Sequence, residues 1–209
     1  MVIDPEHRIL YATMNEEAGR KALSVPDFTS AVKYSESGIA FLNGAHYWKS
    51  HHKLMISIFQ TSVAALYGTN SNPDLLKERI NIVCHQALNL QEEFQCRNTE
   101  IQLIGKTSTE QVISLCHALL DRLGVSFPNT DPASVVPEVM RVNNTISPQD
   151  LLALPQMADQ NMLNASKVLE QLSTYYHRQK SYHMNALVTI RLIDISMQYG
   201  FTEGERLIR

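Results

Sequence analysis

NEEAGRKALSVPDFTSAVKYSESGIAFLNGAHY, from Asn15 to Tyr47, spaces small residues and aromatics as two tightly packed antiparallel helices require. Gly19 is followed nine residues later by Phe28 and twelve later by Ala31. A tetratricopeptide unit asks for a small residue where its helices touch, an aromatic just past the turn, and another small residue three further on. Gly38, Phe41, Tyr47 and Ser50 meet a similar grid in a second register. Glycine inside a helix costs roughly 1 kcal/mol relative to alanine, so Gly19 and Gly38 imply close helix contact that offsets the cost.

Working outward, Pro5 opens a first helix reaching about Leu23, with Ile9, Leu10, Met14 and Ala18 expected on its apolar side. Ser24, Val25 and Pro26 form a turn, and Asp27 caps a second helix with the stripe Phe28, Ala31, Ser35, Gly38, Ile39 and Leu42. After Asn43-Gly44 a third helix is expected from about Tyr47 to Tyr67, carrying Leu54, Met55, Ile58, Phe59, Ser62 and Ala65. A fourth begins at Pro73 and carries Leu76, Ile80, Val83, Ala87 and Leu90. A fifth spans roughly Glu92 to Ile104, and a sixth Thr109 to Leu123, with Gly124 placed as a C-terminal cap. Residues 127–155 hold five prolines and read as a connector with short helices at Ser134–Val142 and Pro148–Leu152. Helices resume over Asp159–Arg178 and Tyr182–Tyr199, the latter with Tyr182, Ala186, Ile190, Ile193 and Met197 as its stripe, and Gly200 closes the series. The expected architecture is all-α: a tetratricopeptide-like stack of antiparallel helix pairs, an α-α superhelix, over residues 1–126, a Pro-rich insert over 127–155, and a further pair over 156–209.

Composition is that of an ordinary globular chain: 209 residues, 44% hydrophobic and 19% charged. A net charge of −3 argues against a dedicated nucleic-acid binder, which carries a basic excess. Cys84, Cys96 and Cys116 are widely spaced and odd in number, neither a disulfide framework nor a zinc pattern. The opening MVIDPEHRIL lacks a basic region followed by an apolar core, and no apolar run approaches membrane-spanning length. The expectation is a cytoplasmic protein with no membrane contact.

Four segments, in order, resemble a known family. They are NEEAGRKAL with the F-x-x-A of Phe28 and Ala31, Tyr34, Gly38-Ile39 and Trp48; LDRLGVSFP at Leu120–Pro128; SPQDLLALPQMAD at Ser147–Asp159; and ISMQYGF ending at Phe201. Together they are similar to the helical-repeat region of very large signalling proteins. Those proteins join a serine/threonine-kinase-like domain, an AAA-type (STAND-class) ATPase, this helical region, a GAF domain and often a histidine kinase. The resemblance implies a non-catalytic scaffold or linker in signal transduction, bound to a protein or peptide partner or to neighbouring ATPase, GAF or kinase domains. The alternative it leaves open is a fragment of an ATP-dependent kinase whose catalytic domains lie outside this chain. The tail GFTEGERLIR ends where that family continues into further helices.

No catalytic constellation is legible, and neither a cofactor nor a metal is expected. Gly105-Lys106-Thr107 resembles the end of a phosphate-binding loop, but position 100 is Glu where the signature needs glycine, and a helix is expected where a strand is required. His46, His51 and His52, near Lys49 and Lys53, have gaps unsuited to a shared ion. Cys84-His85 and Cys116-His117 are sequence neighbours and so point to different helix faces. Glu16-Glu17 and Glu92-Glu93 read as doublets at helix starts or exposed faces rather than spaced acid–base pairs. His177, Arg178, Lys180 and His183 cluster at the last inter-helix turn, a candidate site for an anionic peptide. Tyr34, Phe41, Tyr47, Trp48, Tyr175, Tyr176 and Tyr182 read chiefly as packing between helices, and secondarily as the lining of a concave peptide-binding surface.

Overall fold

A computed structural model describes residues 4–127, 131–147, 149 and 153–202. The described residues are all-α: α1 (Pro5–Ser24), α2 (Phe28–Phe41), α3 (Ala45–Ser50), α4 (His52–Thr69), α5 (Pro73–Gln86), α6 (Leu90–Ile104), α7 (Thr109–Arg122), α8 (Val135–Thr145), α9 (Gln160–Arg178) and α10 (Tyr182–Tyr199). The expected Pro148–Leu152 helix falls mostly outside the described residues. The chain divides into two compact units, Met1–Gln102 and Leu103–Arg209. The packing division thus lies near the end of α6, whereas the composition changes at residue 127.

In the first unit, α1 and α2 form an antiparallel hairpin and α4 lies along both. Pairs fix the directions: Tyr11 meets Phe41 with ring centroids 5.4 Å apart, and a Cβ on Gly38 would lie 3.5 Å from Asn15 Cβ. Gly38 also faces Ile58, whose Cδ1 would be 3.3 Å from such a Cβ, and Gly19 faces Thr61 Cγ2 at 3.0 Å and the Ala31 carbonyl at 3.8 Å. Gly19, Ala31 and Gly38 are all buried, so the small-residue seam lets three helices approach closely. α4 is enclosed on most of its circumference, burying Met55, Ile56, Ile58, Phe59, Thr61, Ser62, Val63, Ala65 and Leu66. α5 then folds back along α4 through the short turn Asn70–Asn72, with Asn72 accepting from Leu75 N–H as its N-cap.

The structure corrects three details of the sequence reading. Leu10 and Met14 are 53% and 57% exposed, while Ala12, Glu16, Gly19 and Ala22 form the buried face of α1. A helix that must approach two neighbours at glycine distance presents its small residues inward and turns its larger apolar side chains out. The helix expected from Tyr47 to Tyr67 is two helices, α3 and α4, broken at His51 (φ −133°, ψ 42°). Trp48 and Phe59 explain the break. Eleven residues along a straight helix span about 16 Å, yet their rings meet at 5.2 Å. On α10 the buried residues are Met184, Leu187, Val188, Ile190, Ile195 and Ser196; of the expected stripe Ile190 is buried, Ala186, Ile193 and Met197 are half-buried and Tyr182 is exposed, because α10 packs against both α9 and α8.

In the second unit, α9 packs on α7 and forms a hairpin with α10, which in turn packs on α8. α7 ends in a Schellman motif: Gly124 (φ +78°) donates to the Asp121 carbonyl at 3.1 Å and Val125 to Leu120 at 2.9 Å. Asp159 caps α9, accepting from the N–H groups of Asn161 and Met162. Gly200 (φ +103°) lets the chain turn so that Phe201 donates to the Pro155 carbonyl and Met157 to Phe201, each at 2.9 Å. A Cβ at position 200 would collide with the Pro155 oxygen.

The seam makes a direct stability prediction. Gly38→Val overpacks the contact with Ile58 and Asn15 and lowers unfolding stability by about 1–3 kcal/mol. Met14→Ser, on the exposed side of α1, changes it by no more than about 0.5 kcal/mol. Urea denaturation followed by circular dichroism measures both.

Candidate functional site

The helix pairs of the first unit leave a groove of ≈ 580 Å³ between the C-terminal end of α2, the α2–α3 link, the start of α4 and α5. Trp48, Phe59, Arg79, Glu36, Asn43 and Gln86 are among its lining residues. Trp48, Phe59, Arg79 and Glu36 are held by partners. Trp48 stacks at a tilt on Phe59 with ring centroids 5.2 Å apart, and the Arg79 guanidinium lies over the Phe59 ring at 5.2 Å from its centroid. Arg79 Nη2 donates to Glu36 Oε2 at 2.8 Å, and Ser62 Oγ donates to Glu36 Oε1 at 2.9 Å. The Arg79 side chain is only 12% exposed. The groove therefore combines two aromatic rings with an ion pair fixed against them, a chemistry suited to gripping an amphipathic chain.

Elsewhere in the first unit, α6 is pinned to α4. His52 Nε2 and Glu92 Oε2 are 2.9 Å apart, Leu88 N–H donates to the same Glu92 oxygen at 2.9 Å, and Gln60 Nε2 donates to the Glu92 carbonyl at 2.6 Å. Burial would raise the Glu92 pKa, but the hydrogen bonds from His52 and Leu88 outweigh it and hold the carboxyl below its ordinary range. His52 is thus engaged by a carboxylate, while His51 meets Ser50 Oγ at 2.9 Å and His46 lies on the Tyr47 ring. The three histidines do not converge. Among the described residues no three His, Cys, Asp or Glu side chains gather as metal ligands.

Two carboxylates read as surface doublet members are buried instead. Glu16 accepts from Ser57 Oγ at 2.5 Å and pairs with Arg20 Nε at 2.8 Å. Glu93 pairs with Arg97 Nε at 3.0 Å, and Arg97 reaches Glu100 at 2.7 Å. The i,i+4 spacing of Glu16–Arg20 and Glu93–Arg97 is the signal that marks them as paired. Glu36–Arg79, separated by 43 positions, carries no such local signal.

The cluster proposed for an anionic peptide lies at the α9–α10 turn. Lys180 occupies a left-handed conformation (φ +57°), donating to the His177 carbonyl at 3.0 Å, and Ser181 donates to Tyr176 at 2.9 Å, a second Schellman motif. Arg178 lies over the Tyr175 ring at 5.3 Å and His177 meets Tyr182 edge-on. His177, Arg178 and Lys180 are exposed and His183 is half-buried, so the turn presents cations at a helix C-terminus.

The remaining motifs are structural. Gly105-Lys106-Thr107 is the turn ending α6, with Thr107 and Ser108 N–H both bonded to the Ile104 carbonyl, and Gly105 leaves room for the Tyr175 hydroxyl. Cys116 is buried and its thiol is pushed up to about 12 by desolvation, while His117 on another face shares a 2.7 Å hydrogen bond with Tyr176 Oη and meets Phe127 edge-on. Compared with known proteins, the chain matches no family model, no curated protein and no solved structure.

Two predictions follow from this geometry. Lys180→Gly relieves a left-handed residue and raises stability by up to about 1 kcal/mol, read as a shifted urea midpoint. Burial depresses the folded-state pKa of His117, with Asp121 opposing more weakly. The unfolded chain therefore takes up the proton first as pH falls below about 6.5, and the stability that neutral His117 contributes is lost as pH drops through the depressed value. Urea midpoints measured from about pH 7.5 to 5 should fall less steeply in His117→Gln than in the parent.

Proposed function

We propose that this chain is a non-catalytic protein-interaction module, a tetratricopeptide-like stack that acts as scaffold or linker within a signal-transduction assembly built around an ATPase or kinase in the cell interior. The observation that carries the reading is the open groove of the first unit, where Trp48, Phe59 and the Glu36–Arg79 pair converge. Tryptophan and arginine are the residue types that most often dominate the energy of protein interfaces.

Helix order supports the repeat reading. α1 and α4 run parallel with α2 antiparallel against both, as the pairings of Glu16 with Ser57, Gly38 with Asn15 and Glu36 with Ser62 require. In a helical-repeat stack the first helix of each hairpin packs on the first helix of the next, and successive hairpins bury a shared core while leaving one face free for recognition. The partner is a protein or peptide segment bearing an apolar anchor for the Trp48–Phe59 pair and a polar group for Arg79 or Gln86. The His177, Arg178, Lys180 and His183 turn offers a separate contact for acidic residues of a partner.

The test places a photo-crosslinking residue at Gln86 of the full chain and captures partners inside the cell. A specific crosslinked protein, lost in Trp48→Ala without loss of helicity, is the expected result, since truncating an aromatic anchor costs about 2 kcal/mol or more of binding, a thirty-fold change. No partner that depends on Trp48, or saturable ATP binding in the micromolar range by the chain alone, would overturn it.

A further inference from the structure

The second unit holds a smaller cavity of ≈ 280 Å³, lined among the described residues by Ser126, Phe127, Ser134, Glu138, Leu187, Ile190, Arg191 and Asp194. It lies between α10 and α8 with the chain leaving α7 as its third wall. Its volume lies just below the roughly 300–1,000 Å³ range typical of small-molecule sites, which suits a small metabolite rather than a chain segment.

Arg191 is its anomaly. Its Nε is buried and has no hydrogen-bond partner. The carboxylates that could have answered it are used elsewhere: both Asp194 oxygens accept from Arg141 Nη2 at 2.9 Å, and Glu138 Oε2 accepts from Arg141 Nε at 2.8 Å. A guanidinium is a permanent cation with five donors in a rigid fork, and leaving a buried donor unmatched costs about 1–3 kcal/mol. Such an orphan in a native fold calls for an explanation, and an acceptor supplied by a ligand is one.

The rest of the wall restricts that ligand. Glu138 and Asp194 share the single cation Arg141, so one negative charge of the pair stays uncompensated beside the one positive charge of Arg191. A bare anion satisfies Arg191 and meets the surplus carboxylate charge; a bare cation does the reverse. A ligand carrying both charges on neighbouring atoms satisfies both. Arg191 and Asp194 stand three residues apart on one helix, which makes them surface neighbours. Phe127, Leu187 and Ile190 supply an apolar wall next to them.

We infer that this cavity binds a free α-amino acid with an apolar side chain: its carboxylate takes the Arg191 fork, its ammonium donates to Asp194 and Glu138, and its side chain lies against Phe127, Leu187 and Ile190. The site is separate from the groove of the first unit, and its ligand does not depend on the identity of any protein partner.

Isothermal titration of the full chain with L-leucine, L-methionine and L-phenylalanine tests it. At least one should bind saturably with a Kd below about 1 mM, and the matched compounds lacking one charge, 4-methylpentanoate and isoamylamine, should bind at least tenfold more weakly. Arg191→Met should weaken the amino acid by at least tenfold while leaving the thermal midpoint of the unliganded protein unchanged or higher, because Arg191 has no partner to lose. That second readout separates a binding role from a structural one. Absence of saturable heat up to about 10 mM for all three amino acids, equal affinity for 4-methylpentanoate, or unaltered binding by Arg191→Met would each overturn the assignment.

Discussion

Close approach of α1, α2 and α4 governs the first unit. Gly19 and Gly38 remove the side chains that would hold these helices apart, and Thr61 and Ile58 of α4 fill the space that results. Everything nearby inherits that spacing. α4 becomes enclosed, so it can be apolar on most faces. α5 can then pack on its remaining side and bring Arg79 within reach of Glu36. The groove exists because α3 breaks away at His51 while Trp48 stays anchored on Phe59.

Charged groups fix the register that apolar contacts alone leave soft. Glu16 is tied to Ser57 and Glu36 to Ser62, so two carboxylates, one on α1 and one on α2, each grip a serine on α4. Sliding α4 by one turn would break both bonds and leave both acids short of partners. Buried ion pairs add little net stability compared with apolar packing, but breaking one is costly, so their value here lies in excluding alternative registers. The small residues allow close contact, and the acids choose one arrangement of it.

Much of this was legible in the sequence. Helix existence followed from periodicity, and the cap expected at Asp27 accepts a hydrogen bond from Ser30 N–H in the structure. The burial of Gly19, Ala31 and Gly38 was legible because a glycine inside a helix needs a reason. The inward face of α1 was not: hydropathy favours Leu10 and Met14, and only the presence of two close neighbours selects Ala12 and Glu16. The break at His51 was hidden too, since its cause, the Trp48–Phe59 contact, is tertiary. The groove and the Arg191 cavity were invisible for the same reason. Glu36 meets Arg79, and Arg141 meets Asp194, across 43 and 53 positions, where no local pattern records the pairing.

Each unit carries one deeply shielded sulfur: Cys96 in the first and Cys116 in the second, both with thiols pushed up to about 12 by desolvation. At neutral pH neither offers a thiolate, so alkylating reagents reach them only when the surrounding helices part. The native chain thus contains two chemical clocks, one per half, whose labelling rates report local opening of each part separately and without any introduced probe.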